Sequence, residues 1–342
     1  MRAMILEQTA PLERNPEPLV LVDIPQPEPG PAEILIEVST CGVCHTELDE
    51  IEGRLKPSRM PVIPGHQVVG RVAATGRDVT RFASGERVGV GWIHSSCGSE
   101  NENLSPEFRA TGKDVNGGYA EFMVVGENYA YRIPDVFDDV TAAPLLCAGG
   151  VGYRALRLSG LRDGASLGLT GFGGSGHLVL QLAQYMLPSS PIHVFARNEK
   201  ERQFARSLGA YWTGDTKERP PQLLDAIIDT TPAWLPVLEG LRNLKPGGRL
   251  VINAIRKESA DRGLLAEIDY AEHLWMEKEL KTVANVTAAD IREFLAVAAA
   301  IPLRPAVDTY PLEAANRALQ DLQHGGLRGA KVLVIKNFKN KD

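Results

Sequence analysis

The chain has 342 residues, 44% of them hydrophobic, and a net charge of −6 with acidic and basic residues interspersed. This length predicts two domains with sizeable cores. The charge pattern excludes a basic nucleic-acid stripe or polybasic membrane tail, and no apolar run approaches the roughly 18 residues of a membrane span. In chain order, the N-terminal MRAMILEQTAPLE lacks an apolar core long enough for a secretory signal, so a cytoplasmic location is expected. From 30 to 135 come short β-segments separated by turn residues: EILIEVS, QVVGRVAATG, ERVGVGW, YAEFMVV and YAYRIP. Runs of valine and isoleucine broken by Gly and Pro predict a β-rich domain. From about 150 the texture alternates. ASLGLTGF, PIHVFAR, LDAIIDTT and GRLVINAI read as buried strands; SGHLVLQLAQYML, EKERQFARSLG and LPVLEGLRNL between them read as helices. Such alternation predicts a parallel sheet covered on both faces, an α/β arrangement. LKTVANV is a candidate last strand; ADIREFLAVAAAI and LEAANRALQDLQ read as helices, and AKVLVIK as a final strand.

The four cysteines are Cys41, Cys44, Cys97 and Cys147. Four in a chain this long make no disulfide scaffold, which again points to a reducing compartment. TCGVCHTELDE, by itself, permits a redox dithiol, a structural zinc knuckle or part of a catalytic metal site. His66 follows a Pro-Gly turn in PVIPGHQVVG, and Cys147 lies in APLLCAGGVGYRAL, just before the α/β region. Two thiolates and an imidazole, from Cys44, Cys147 and His66, suit zinc, and three protein ligands leave a fourth position open.

The segment Gly171-Phe172-Gly173-Gly174-Ser175-Gly176 is a G-x-G-x-x-G. It follows an apolar strand and opens an apolar-periodic helix, the context a dinucleotide pyrophosphate requires. Gly171 permits the tight turn, Gly173 a close approach of backbone to phosphate, and Gly176 close helix–strand contact, with the helix N-terminus facing the phosphates. An acidic residue for a ribose 2′-hydroxyl is due roughly 20 residues further on. Ala196 stands there, followed by Arg197, which favours a 2′-phosphate and hence NADP over NAD; Glu199, one turn on, is the competing carboxylate for NAD.

Together CGVCHTELDE, PVIPGHQVVGRV, GERVGVGW, NGGYAEF, APLLCAGGVGYRAL and GFGGSGH span the chain in a recognisable order. In these stretches the sequence resembles the zinc-dependent alcohol dehydrogenases of the medium-chain dehydrogenase/reductase family. The resemblance implies a GroES-like β-domain over 1–150, completed by 287–342, and a Rossmann domain over 151–286. It implies Cys44, His66 and Cys147 as ligands of a catalytic zinc, and Thr46 as the hydroxyl that takes the alcohol proton and passes it through the cofactor ribose to Asp49 or His45. His45 is also placed near the cofactor pyrophosphate, Val151 is grouped with the cofactor-binding residues, and Trp92 is placed in the substrate pocket. Small alcohols, aldehydes or ketones are the implied substrates, and a homodimer or homotetramer the implied assembly.

Four departures from the family pattern stand out. The region SSCGSENENLSPEFRATG keeps only Cys97 of the four cysteines that often bind a structural zinc, with Ser105 where the last would fall, so one zinc per chain is expected. Glu47 replaces the aspartate that steadies the histidine ligand, and Asp49 replaces a histidine that often ends the proton relay; a solvated surface charge is the other reading of Asp49. Gln67 replaces a glutamate after the ligand histidine. Ala330 stands where an arginine usually helps to hold the cofactor phosphates, with Arg328 or Lys331 as possible substitutes. Two rival functions compete with the alcohol dehydrogenase. One is a zinc-free quinone or enone reductase of the same fold. The other is a non-catalytic redox sensor in which Cys41 and Cys44 form a dithiol switch.

Overall fold

The structure, a computed structural model, describes residues 1–301, 303, 305–324 and 329–336. An N-terminal antiparallel pair, β1 (Arg2–Leu6) and β2 (Leu19–Asp23), precedes the long β3 (Glu33–Val43). The helix α1 (His45–Ile51) follows at once. Its start is a capping box: the Cys44 sulfur accepts from the Thr46 N–H, and the Glu47 carboxylate accepts from the Cys44 N–H. Then come β4 (Gln67–Thr75), β5 (Arg87–Val90), β6 (Ile93–Ser95), β7 (Arg109–Ala110), β8 (Phe122–Gly126) and β9 (Ala130–Arg132). The short α2 (Asp139–Ala142) leads into α3 (Ala148–Ser159).

The alternating region then supplies β10 (Leu167–Thr170), α4 (Gly176–Met186), β11 (Ile192–Phe195), α5 (Glu199–Ser207) and β12 (Trp212–Gly214). It continues through β13 (Leu224–Asp229), α6 (Leu235–Asn243), β14 (Leu244–Ile252) and β15 (Glu279–Thr282). The chain closes with α7 (Ala288–Ala300), β16 (Val307–Pro311), α8 (Ala315–His324) and β17 (Ala330–Val334).

Two compact units result. One contains Met1–Cys147, Val286–Ala300 and the described residues of the C-terminal segment; the other is Ala148–Asn285 with a short return near 301–303. The first division falls between Cys147 and Ala148 rather than after 150, because α3 starts at Ala148 and packs on β13, β14 and α4.

In the first unit the main sheet runs β16-β17-β3-β4-β5-β9, with β8 on the free length of β3. The C-terminal strand thus joins the N-terminal domain: Leu333 pairs with Cys41 and Val332 with Gly42 in antiparallel register. Inward residues such as Ile34, Ile36, Val68, Val69 and Val88 form the core. In the second unit all six strands are parallel, in the order β12-β11-β10-β13-β14-β15. This is the Rossmann order, and its direction reverses between β10 and β13, the crevice where dinucleotides bind. Phe195, Leu224, Ile227, Leu250 and Ile252 pack against Val237 and Leu241 of α6 to form this unit's core.

Candidate metal centre and dinucleotide loop

The metal site is built within the first unit. Cys44 stands at the N-cap of α1, His66 enters β4, and Cys147 ends the turn that precedes α3. Their donor atoms, two Sγ and the imidazole nitrogen, lie within 4.8 Å of one another, the sole such cluster among the described residues. Cys44 Sγ is 3.9 Å from His66 Nε2. Ligands of a tetrahedral zinc, bonded at about 2.0–2.3 Å, stand roughly 3.5–3.8 Å apart, so this donor set fits the ion in number, chemistry and spacing.

Glu47 sets the cage. One carboxylate oxygen lies 2.5 Å from His66 Nδ1, the other accepts the Cys44 N–H at 2.9 Å, and the side chain is fully buried. The His66 ring is thereby fixed with Nε2 turned to the two thiols. Burial opposes the imidazolium, but the charges on Glu47 and then Cys44 outweigh it and hold the His66 pKa well above its ordinary value. Burial likewise opposes the Glu47 carboxylate, and the His66 charge and hydrogen bond outweigh it, so Glu47 is lowered. The Cys44 thiol is raised by its hydrogen bond with Cys147, then by burial and by the Glu47 charge. Two thiolates beside a carboxylate repel, and a divalent cation relieves that repulsion.

The neighbours of the cage are equally specific. Thr46 is buried, and its N–H points at the Cys44 sulfur, 3.3 Å away. His45 is exposed at the first position of α1. Asp49 is buried and accepts from Arg54 Nε at 2.7 Å, which overturns the reading of Asp49 as a solvated surface charge. The Trp92 ring meets the His66 ring edge-on at 6.4 Å and stacks obliquely on Phe108 at 5.6 Å. Gln67 is buried against Gly42, where any Cβ would fall 2.6 Å from the Gln67 amide oxygen. Cys41 is fully buried, and burial pushes its thiol well above the ordinary range, a poor partner for a dithiol switch.

One residue of this site had no signal in the sequence pattern. Glu50 is 1% exposed, and neither of its carboxylate oxygens finds a hydrogen-bond partner. Burial, then the charge on Glu47, pushes its pKa well up, while His66, the Trp92 indole N–H and Lys113 pull the other way. Trp92 Nε1 is buried and unpartnered too.

Cys97 is exposed beside Ser99 Oγ, 3.2 Å away, and hydrogen bonds from Ser99 and Ser105 lower its thiol to about 7. The lobe around it is held by Glu102 instead of by further cysteines. Glu102 Oε1 accepts the Ala288 N–H that opens α7 at 2.6 Å, and Oε2 lies 3.0 Å from the Tyr129 hydroxyl. That hydroxyl also accepts the Ser96 N–H, and Ser96 Oγ donates to the Glu102 carbonyl.

The dinucleotide loop lies in the second unit, between β10 and α4. Gly171 has φ +80°, and a Cβ there would meet Thr231 and Thr230 at 2.8–2.9 Å. A Cβ on Gly176 would fall 2.6 Å from the Gly171 carbonyl, whereas one on Gly173 would project into open space. That open cradle over a helix N-terminus, with Gly174 and Ser175 completing the turn, fits a pyrophosphate. At the end of β11, Ala196 is buried and Arg197 exposed. Glu199 is committed to Arg202 and Arg206 at 2.8 and 2.5 Å. Val151 sits half-buried on α3. Lys331 is buried in β17 and faces Asp308 at 3.9 Å, so it is spent inside its own sheet; Arg328 lies outside the described residues.

Comparisons with known proteins agree with this architecture. Residues 30–135 match the alcohol dehydrogenase GroES-like domain family. A probable alcohol dehydrogenase, AdhA, of Mycobacterium tuberculosis is 40% identical over 98% of this chain and 97% of its own length. A cinnamyl alcohol dehydrogenase structure from Sorghum bicolor superposes with a TM-score of 0.80 at 25% identity, covering 97% of each chain. A Helicobacter pylori CAD structure, complexed with NADP(H), has a TM-score of 0.82 at 24% identity and covers 98% of this chain and 99% of its own. With a GroES-like domain, a Rossmann sheet and a convergent Cys-His-Cys cluster, the chain belongs to the zinc-dependent alcohol dehydrogenases of the medium-chain dehydrogenase/reductase family.

Proposed function

We propose that this alcohol dehydrogenase uses NADP, holds one zinc per chain through Cys44, His66 and Cys147, and works chiefly as a reductase of small aldehydes or ketones. The observation that carries the cofactor choice is the end of β11. Glu199, the competing carboxylate for a ribose 2′-hydroxyl, is paired with two arginines, while Arg197 stands exposed for a 2′-phosphate.

Zinc, when bound, supplies a Lewis acid for the alcohol or carbonyl oxygen. NADP supplies the hydride carrier. The chain's own residues do the rest. Glu47 orients the His66 ring and the backbone of Cys44. Thr46, buried beside the Cys44 sulfur, would take the proton of the substrate hydroxyl. His45, exposed at the head of α1, serves the pyrophosphate or the outer end of the relay. Asp49 is the weaker relay terminus, since its carboxylate is already engaged by the Arg54 guanidinium. Trp92, over His66, walls the substrate pocket.

A single zinc is supported by the Glu102 network, which gives the Cys97 lobe its own hydrogen-bonded anchor. Assembly as a homodimer or homotetramer is supported by the exposed edge strand β15. A cytoplasmic location is supported by four free cysteines. The intact metal cluster argues against the zinc-free reductase, and buried Cys41 argues against the dithiol sensor.

Elemental analysis with steady-state kinetics tests the proposal. About one zinc per chain is expected, with turnover lost in Cys147→Ser and kcat/KM higher with NADPH than with NADH across a panel of aldehydes and ketones. Full activity without metal would overturn the mechanism, and a preference for NADH would overturn the cofactor choice.

A further inference from the structure

Among the described residues of the Rossmann unit, Asn253 is the one whose whole side-chain amide is sealed from solvent and unpaired. The residue is 8% exposed, and both Oδ1 and Nδ2 are buried without a hydrogen-bond partner. Proteins seldom leave both halves of an amide unsatisfied, because each carries a desolvation cost. Such a group is explained most simply by a ligand that brings its own donor and acceptor.

Its place in the fold says which ligand. Asn253 directly follows β14, and its N–H extends the ladder by donating to the Asp229 carbonyl at 2.7 Å. It therefore sits at the C-terminal edge of the parallel sheet, where ligands bind in such folds. Side chains alternate along a strand, and Leu250 and Ile252 face α6 in the core. Asn253 is thus directed to the opposite face, towards α3, the helix that packs on β14 and carries half-buried Val151. The sheet order divides the cofactor as well. The half β10-β11-β12, with Arg197 at the end of β11, takes the adenine end, so β13-β14-β15 takes the nicotinamide end. The next strand repeats the signal: Asn285, shortly after β15 and at φ +60°, leaves its own Nδ2 buried and unpartnered.

We infer that Asn253 is a cofactor-binding residue whose primary amide pairs reciprocally with the carboxamide of the nicotinamide. A primary amide offers one acceptor and two donors, and the nicotinamide carboxamide offers the same set in complementary order. The pairing fixes the rotation of the ring and hence the face from which hydride leaves. Asn253 is a specificity residue for the ring, and it pays no part in phosphate recognition. The inference rests on the reading that a nicotinamide dinucleotide binds in this crevice.

The test is a set of binding titrations with the full-length protein. Ligands are NADP+, its 3-acetylpyridine analogue, which replaces the carboxamide NH2 with methyl, and 2′,5′-ADP, which lacks the nicotinamide half. Asn253→Ala is expected to weaken NADP+ about tenfold, the value of one to two net hydrogen bonds, and to leave 2′,5′-ADP within about twofold. The variant should lose the wild-type preference for NADP+ over the analogue. Thermal melting without ligand should be unchanged or higher, since an unsatisfied buried amide has been removed, whereas the melting shift produced by NADP+ should shrink. A purely structural role predicts the reverse, a lower melting temperature and equal losses for all three ligands, and would overturn the inference. So would an unchanged NADP+ affinity, or an equal loss for NADP+ and the analogue, which would move the contact away from the carboxamide. If Asn253→Ala compromises folding, Asn253→Ser, which keeps a small polar side chain, is held to the same criteria. Wild-type protein that binds NAD+ but not NADP+ fails the cofactor choice alone, and the same titrations then use NAD+, its acetylpyridine analogue and ADP.

Discussion

Glu47 shows how one methylene can be absorbed by a site. Its carboxylate spans two jobs at once, one oxygen on His66 and the other on the Cys44 N–H, because its helical position three residues after the N-cap aims it back at the helix start. The three metal donors were legible in the sequence because their residue types and surroundings form a motif. Glu50 was not legible, since nothing in ELDE distinguishes a buried acid from a solvated one, and only the fold decides. Its burial leads to a prediction. A carboxyl raised by burial binds a proton in the folded state that the unfolded chain has lost, so it costs stability as pH rises above the ordinary carboxylate range. Glu50→Gln should therefore stabilise the protein at pH 7 by about 1–3 kcal/mol, and by less at pH 4, in denaturant titrations; a loss of stability at pH 7 would mean that Glu50 has an ionised partner. Cys97 carries the second prediction at this scale. With its thiol lowered to about 7, iodoacetamide should label Cys97 before the buried Cys41, with a rate that rises through pH 7, and Cys97→Ser should keep full zinc content and turnover. Mass spectrometry of the labelled peptides decides the order of reaction.

Among the elements, strands with an apolar run bounded by Gly or Pro were legible in the sequence. Those that give little pattern were not: β12 has three residues, β16 ends in proline, and β1 and β2 lie in a stretch that shows no alternation long enough to score. The helix α3 was hidden because Gly149, Gly150 and Gly152 lower its propensity, yet packing on β13, β14 and α4 holds it. The lobe between β6 and β7 shows the same limit. Sequence predicts that one cysteine cannot build a four-cysteine zinc site there but not what anchors the lobe, because a glutamate reaching a helix start 186 residues away leaves no local pattern. There Glu102 acts on the whole element: its carboxylate meets the N-terminus of α7, where the helix dipole favours negative charge, and joins the Tyr129 and Ser96 contacts. Glu102→Ala should cost on the order of 3 kcal/mol of stability while zinc content stays at its wild-type value. Chemical denaturation paired with metal analysis checks this, and a parallel fall in zinc would show that the lobe does support a metal.

At the scale of the whole molecule, the parallel sheet poses a problem that one chain does not solve. Parallel strands are ordinarily covered, yet all four residues of the edge strand β15 are exposed, with Leu280 at 48%. The segment before it adds Tyr270, Trp275 and Met276, each more than half exposed, with the two aromatic rings 5.7 Å apart. Met276 and Glu277 both hold φ values near +60°, a conformation costly for side chains of this kind and retained where surrounding contacts or function demand it. An open hydrophobic edge is a template for a further strand, and a second copy of β15 running antiparallel would satisfy its unpaired backbone groups while covering Leu280 and Trp275. The chain should therefore sediment at twice its 37.1 kDa or a higher even multiple. Leu280→Lys with Trp275→Lys should shift it towards the single-chain mass and leave the Cys44–His66–Cys147 cluster able to bind its zinc, because the cluster belongs to the other unit. Analytical ultracentrifugation over a concentration series reads the mass. Even-numbered assemblies that survive the double substitution would assign the contact to another surface, and a wild-type monomer would leave β15 an edge guarded only by Glu279 and Lys281.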